Sequence, residues 1–161
     1  MNTTDIQEIL ANDAFSSDFN VFVLPSNHLP QQPAARPAFY IINASPCSHP
    51  GSHWLVVYLP KDKQRRGEWF CSYGVSPEEY RLMTEDFEKF YKNNLTDRCL
   101  YTSVQLQSVN SSYCGLYAIL FVLFRSRNLS YADLMHCFTD NPVVNDDIVH
   151  NVFLSYNKTH S

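Results

Sequence analysis

The chain has 161 residues, 45% hydrophobic and 14% aromatic, and its 12 Lys and Arg against 16 Asp and Glu leave a formal charge of −4. That length fits a single domain spanning 1–161 with enough apolar material for a core, which excludes disorder as the main state. The acidic balance argues against a broad phosphate-gripping face, and five cysteines without CxxC spacing make neither a paired disulfide framework nor a four-cysteine zinc cage.

Met1 to Leu10 carries no basic n-region or apolar h-region, so the reading is a reducing intracellular setting. Thr4-Asp5-Ile6-Gln7 has the form of a capping box, with Ile6, Ile9 and Leu10 following at helical spacing. Asn20 to Leu24 and Ala38 to Asn43 read as strands joined by a proline-rich connection, and His53 to Leu59 as a strand apolar enough to be central. Lys61 to Gly67 reads as a solvated hairpin tip leading into a strand over Glu68 to Tyr73. Ser76-Pro77-Glu78-Glu79 starts a helix that carries the stripe Leu82, Met83, Phe87, Phe90 and Tyr91.

Leu100 to Leu106 reads as a further strand, followed by a polar turn over Ser108 to Ser112. Cys114 to Arg125 is apolar all round, as expected of a central helix, and its apolar run Gly115 to Phe124 falls short of the ~18 residues of a membrane span. Ser130-Tyr131-Ala132-Asp133 opens a short helix, and Asp146 to Tyr156 forms the last one. The fold class expected is α+β, a mixed sheet packed by helices.

A cysteine at a helix start sits where the helix dipole and free N–H groups favour the thiolate, the form that attacks carbonyl carbon. Cys114 meets that description, and Gly115 beside it allows a substrate backbone to come close. His53 opens a central strand, where a side chain is held rigidly. Taken alone, Cys114 reads more readily as a buried structural thiol and His53 as a solvated or satisfied histidine.

Gly51-Ser52-His53-Trp54, Phe70-Cys71-Ser72-Tyr73-Gly74 and Gln107-Ser108-Val109-Asn110-Ser111-Ser112-Tyr113-Cys114-Gly115-Leu116 together resemble, in order and spacing, the adenovirus-type cysteine proteases. The tail Phe138-Thr139-Asp140-Asn141 through Asn145-Asp146-Asp147-Ile148-Val149 is similar to the versions carried by Maverick-type transposons and related viruses. The resemblance implies a papain-like core with the nucleophile at the N-terminus of the central helix. It assigns Cys114 as nucleophile, His53 as general base and acid, and Gln107 as the oxyanion-hole side chain, roles that thiol acyl transfer requires. Trp54 is expected to support the site by packing that shields the imidazole. The function implied is a cysteine endopeptidase that processes viral or transposon capsid precursors at Gly-containing sites, in the host nucleus or cytoplasm or packaged in the virion.

Cys71 departs from the family, which places an Asp or Glu there to orient the imidazole. A working Cys114–His53 dyad, a weakened natural copy and a substitution introduced at this position all stay open. Glu68 and Ser72 are not obvious replacements, because Glu68 lies three residues earlier and Ser72 points to the opposite face. Cys99, after Asp97-Arg98, matches a cysteine that in the adenoviral enzyme forms a disulfide with an activating peptide; an ordinary half-buried thiol is the other reading. The family's DNA cofactor fits poorly with a charge of −4, and no other cofactor is required by the sequence. A metal site from Cys47, His49, His53 and Cys71 lacks the spacing of a known zinc module, so no metal is expected. Two other functions compete: a protease for SUMO or ubiquitin-like modifiers, and a catalytically silent peptide- or capsid-binding domain.

Overall fold

The computed structural model describes residues 1–32, 35–45, 53–80, 84–95 and 99–160. Its fold is α+β, with strands β1 (Asn20–Pro25), β2 (Ala38–Asn43), β3 (Trp54–Leu59) and β4 (Glu68–Phe70) in the spatial order β1-β2-β3-β4. The pair β1–β2 is parallel, whereas β2–β3 and β3–β4 are antiparallel, so the sheet is mixed and β3 is interior. Among the described residues, six α-helices accompany it: α1 (Thr3–Ala11), α2 (Pro77–Tyr80), α3 (Glu85–Asn94), α4 (Cys114–Ser126), α5 (Tyr131–Met135) and α6 (Pro142–His160).

Side chains alternate across a strand, and here both faces are apolar because both are covered. Phe39, Ile41, Trp54, Val56, Tyr58 and Phe70 pack with Tyr117, Ile119 and Phe121 of α4, Ile6 and Leu10 of α1, and Val149 and Phe153 of α6. The alternate residues Tyr40, Ile42, Leu55, Val57, Leu59 and Trp69 pack with Phe87, Phe90 and Tyr91 of α3. The far end of α4 is tied to the sheet by Arg125, which donates from Nε to Glu68 Oε2 at 2.7 Å and from Nη2 to Glu68 Oε1 at 2.9 Å. The register of α4 along the sheet, and with it the position of Cys114 at the opposite end, is therefore held by a nearly buried bidentate pair. This occupies Glu68, consistent with its exclusion as a substitute acid.

Several expectations need correction. The first helix is capped by Asn2, not Thr4: the Asn2 side chain accepts from the Asp5 N–H and the Asp5 carboxylate accepts from the Asn2 N–H. The helix expected from Ser76 through Tyr91 is two, because Thr84 is extended (φ −142°, ψ 154°) and caps α3 by accepting from the Phe87 N–H at 3.1 Å. Leu82 and Met83 of the expected stripe lie outside the described residues. The strand expected over Leu100 to Leu106 shrinks to one bridge, Leu100 with Glu68. Tyr101 and Val104 are exposed, so no buried face stabilises pairing there. The strand after the hairpin ends at Phe70, and residues from Cys71 form a turn. The last helix starts at Pro142, four residues before Asp146, where Asn141 accepts from the Val143 N–H and proline takes the first helical position. Among the described residues, no helix is long and apolar enough to cross a membrane.

Candidate active site

His53 stands immediately before β3, and its carbonyl accepts from the Ala44 N–H at 2.8 Å, which continues the β2–β3 ladder by one pair. The backbone is thus fixed while the side chain lies almost fully buried, 6% exposed. Its Nε2 is 3.3 Å from Cys71 Sγ, and its Nδ1 has no hydrogen-bond partner. Burial alone pushes the imidazole down to about 4, so His53 is neutral at pH 7 and available as a base. The Tyr73 ring stacks on it with centroids 4.6 Å apart and an interplanar angle of 29°, and Tyr80 of α2 lies parallel beyond, at 6.4 Å and 21°.

Cys71 begins the turn that follows β4 and is 1% exposed. Burial pushes its thiol up, outweighing the backbone N–H groups of Val75, Tyr73 and Gly74 and the Tyr80 hydroxyl, which favour the thiolate. A protonated thiol both donates and accepts weakly, so against Nε2 it does what a carboxylate would do only in part. The next residue reaches the loop before α4: the Ser72 carbonyl accepts from the Leu106 and Gln107 N–H groups at 2.8 and 2.9 Å, and its hydroxyl donates to Gln107 Oε1 at 2.7 Å. One turn therefore meets the histidine through Cys71 and the loop before α4 through Ser72.

Gln107 is fully buried. Its Nε2 donates to the Ser111 carbonyl at 2.9 Å and to Ser111 Oγ at 3.0 Å, so both N–H bonds are engaged across the loop that leads to Cys114. The loop is anchored in turn by Asp146 of α6, which is buried and accepts from Ser108 Oγ at 2.6 Å, the Ser108 N–H at 3.3 Å and the Tyr117 hydroxyl at 3.0 Å. Asn145 adds a bond from Nδ2 to the Leu106 carbonyl at 3.2 Å.

Cys114 is the first residue of α4 and is half-buried. The N-cap is Tyr113, which supplies no side-chain hydrogen bond, so no side chain takes up the N–H groups of the first turn there. Cys114 makes no hydrogen bond to His53 Nδ1. The Tyr73 hydroxyl is raised first by burial and then by Cys114, Asp146 and Cys71.

The remaining sequence candidates divide. Trp54 is buried on the α4 face, where its Nε1 donates to the Met1 carbonyl at 3.4 Å; the rings stacked on His53 are Tyr73 and Tyr80. The room left by Gly115 is taken by Met1, whose Sδ would lie 2.9 Å from a Cβ at that position. Met1 also helps line a pocket of about 390 Å³ with Ile9, Tyr113, Leu116 and Phe153, beside the start of α4. Cys99 packs against the α3 face, and burial, followed by Glu78 and Glu68, pushes its thiol up to about 12. Cys47 and His49 lie outside the described residues, as do Asp97 and Arg98. Among the described residues, no group of three or more His, Cys, Asp or Glu could hold a metal ion.

Three contributors escaped the sequence reading as site residues. Tyr73 and Asp146 lay within the quoted motifs but gave no sign of what they touch. Tyr80 gave no signal. No protein-family model matches this chain, and no curated protein matches it.

Proposed function

We propose that the chain is a cysteine endopeptidase of the adenovirus type, with a papain-like core in which Cys114 is the nucleophile and His53 the general base and acid. What supports this reading most is one observation. The imidazole is neutral, rigidly based at the head of an interior strand, in contact with Cys71 through Nε2, and left with Nδ1 unpartnered. A buried ring nitrogen without a partner is uncommon and calls for an explanation, and the role of proton acceptor for the Cys114 thiol would supply one.

In this reading Nδ1 takes the Cys114 proton as Sγ attacks the scissile carbonyl carbon. The carbonyl oxygen becomes an oxyanion, which the Cys114 N–H and one N–H of Gln107 receive, the latter leaving Ser111 as substrate enters. Collapse breaks the C–N bond, and the imidazolium returns its proton to the departing amine. Water, deprotonated by His53, then hydrolyses the thioester and restores the thiol. Hydrogen bonds of this kind are often long before substrate binds, which accommodates the lack of a Cys114–His53 bond. The substrates proposed are extended, Gly-containing segments of viral or transposon structural proteins, cut inside the host cell or the assembling particle.

A second reading, a silent peptide- or capsid-binding domain, is favoured by the thiol at Cys71 and by the engagement of both Gln107 N–H bonds with Ser111. Cleavage assays on Gly-containing peptides and on a SUMO C-terminal reporter separate the readings. The protease reading expects cutting of the Gly peptides by the parent chain, faster cutting by Cys71→Asp and none by Cys114→Ala. Cutting of the SUMO reporter alone moves the assignment to modifier proteases. No cutting of either substrate by the parent or by Cys71→Asp leaves the binding domain.

A further inference from the structure

Resting on the dyad reading, the question is what holds His53 when the acidic partner is replaced by Cys71. An orienting carboxylate fixes the ring, selects the tautomer with the proton on Nε2, and stabilises the imidazolium formed during attack. A neutral thiol does the last of these poorly. Two aromatic rings stack on the imidazole: Tyr73 from the same turn as Cys71, and Tyr80 from α2. Among the described residues no charged side chain acts on its titration, which burial depresses.

We propose that Tyr73 is the positioning residue for His53, its ring face holding the imidazole and favouring the imidazolium that forms when Cys114 gives its proton to Nδ1. The centroid separation of 4.6 Å and the 29° angle set one ring over the other, and the negative face of an aromatic ring attracts a cation placed over it. The Tyr73 ring is itself anchored. Its turn is closed by the Gly74 N–H donating to the Cys71 carbonyl at 2.9 Å, and Gly74 adopts φ 71° in a place where a Cβ would meet the Ser103 carbonyl oxygen at 2.7 Å. Left-handed backbone and close approach both require glycine at position 74, so the turn holds Tyr73 in one place. Burial keeps the Tyr73 hydroxyl protonated, and the ring therefore does not bring a phenolate charge to the site.

The test uses the intact chain, Tyr73→Phe and Tyr73→Leu, each with Cys71 and in the Cys71→Asp background. Two readouts are taken: the His53 midpoint from its ¹⁵N shifts across a pH series, which reports how far the imidazolium is favoured, and the rate of Cys114 alkylation by iodoacetamide. Tyr73→Phe keeps the ring and is expected to stay within about threefold of the parent rate, whereas Tyr73→Leu is expected to slow alkylation about tenfold and lower the His53 midpoint. With the Cys71→Asp change present, the loss on Tyr73→Leu should shrink below about threefold, because the carboxylate then holds the ring. Equal losses in the two backgrounds would overturn the proposal, since a ring that merely packs acts alike in both. A Tyr73→Phe loss matching Tyr73→Leu would overturn it by moving the effect to the hydroxyl. If Tyr73→Leu does not fold, Tyr73→Met replaces it. Failure of the dyad reading is separate: Cys114 would be alkylated no faster than the exposed Cys137 and His53→Ala would change nothing, while the His53 midpoint would still report whether Tyr73 favours the imidazolium.

Discussion

On the α4 side of the site, Gln107 has partners for both its carbonyl and its amide, and Asp146 accepts three hydrogen bonds that hold Ser108 and Tyr117. On the sheet side, His53 has a weak sulfur contact, two aromatic neighbours and one nitrogen without a partner. The loop is held by directional bonds between polar groups, and the histidine by packing. Packing keeps a ring in place and an aromatic face favours its cation only modestly, so the loss of a carboxylate at Cys71 bears on the tautomer and charge of His53 more than on its position.

The largest expected effect breaks the pairing of the two sides. Cys114→Ala should lower kcat on Gly-containing peptides by at least about 10⁴-fold, read as product formation by mass spectrometry. Next, Gln107→Ala tests the polar side: it should cost about 10²–10³ in kcat, with a smaller change in KM, if its amide receives the oxyanion. An unchanged kcat would reduce Gln107 to a loop brace.

The sheet side carries a pH signature. A histidine held at about 4 in the folded chain and near 6.5 when unfolded leaves the unfolded state binding more protons between those values, so stability is lost as pH falls from 6.5 towards 4. Above pH 6.5 the effect vanishes, and the full loss is about 3 kcal/mol. Chemical denaturation at a series of pH values should show this decline, and His53→Gln should remove it. The smallest effect sharpens the comparison most: Cys71→Asp should raise kcat/KM about tenfold and shift the His53 midpoint upward, since a carboxylate favours the imidazolium. Steady-state kinetics and NMR titration of the same variant read both.

Much of this architecture was legible along the chain. The unbroken apolar run of β3 announced an interior strand, and the all-round apolar run from Cys114 announced the central helix. Ser130-Tyr131-Ala132-Asp133 announced a helix start, and there Ser130 and Asp133 form a capping box. Local chemistry was less legible where two residue types compete for one role. Asn2 takes the cap that Thr4 also offered, and Thr84 interrupts a helical stripe that periodicity alone would continue. Leu100 to Leu106 has the composition of a strand but no second face to bury, so it pairs at one residue. The motifs singled out His53, Cys71, Gln107 and Cys114 as candidates. They could not carry the Tyr73 stack or the Asp146 anchor, which arise from turns and helices that meet only in three dimensions.

The central claim is that Cys114 is made reactive by His53, and covalent capture tests it most directly. The intact chain, treated with a Gly-terminated peptide aldehyde or nitrile, is digested and the modified cysteine identified by mass spectrometry. The account predicts modification at Cys114, with the exposed Cys137 untouched and the adduct lost in His53→Ala. Adduct on Cys137 in preference to Cys114, or equal capture at Cys114 in His53→Ala, would contradict it.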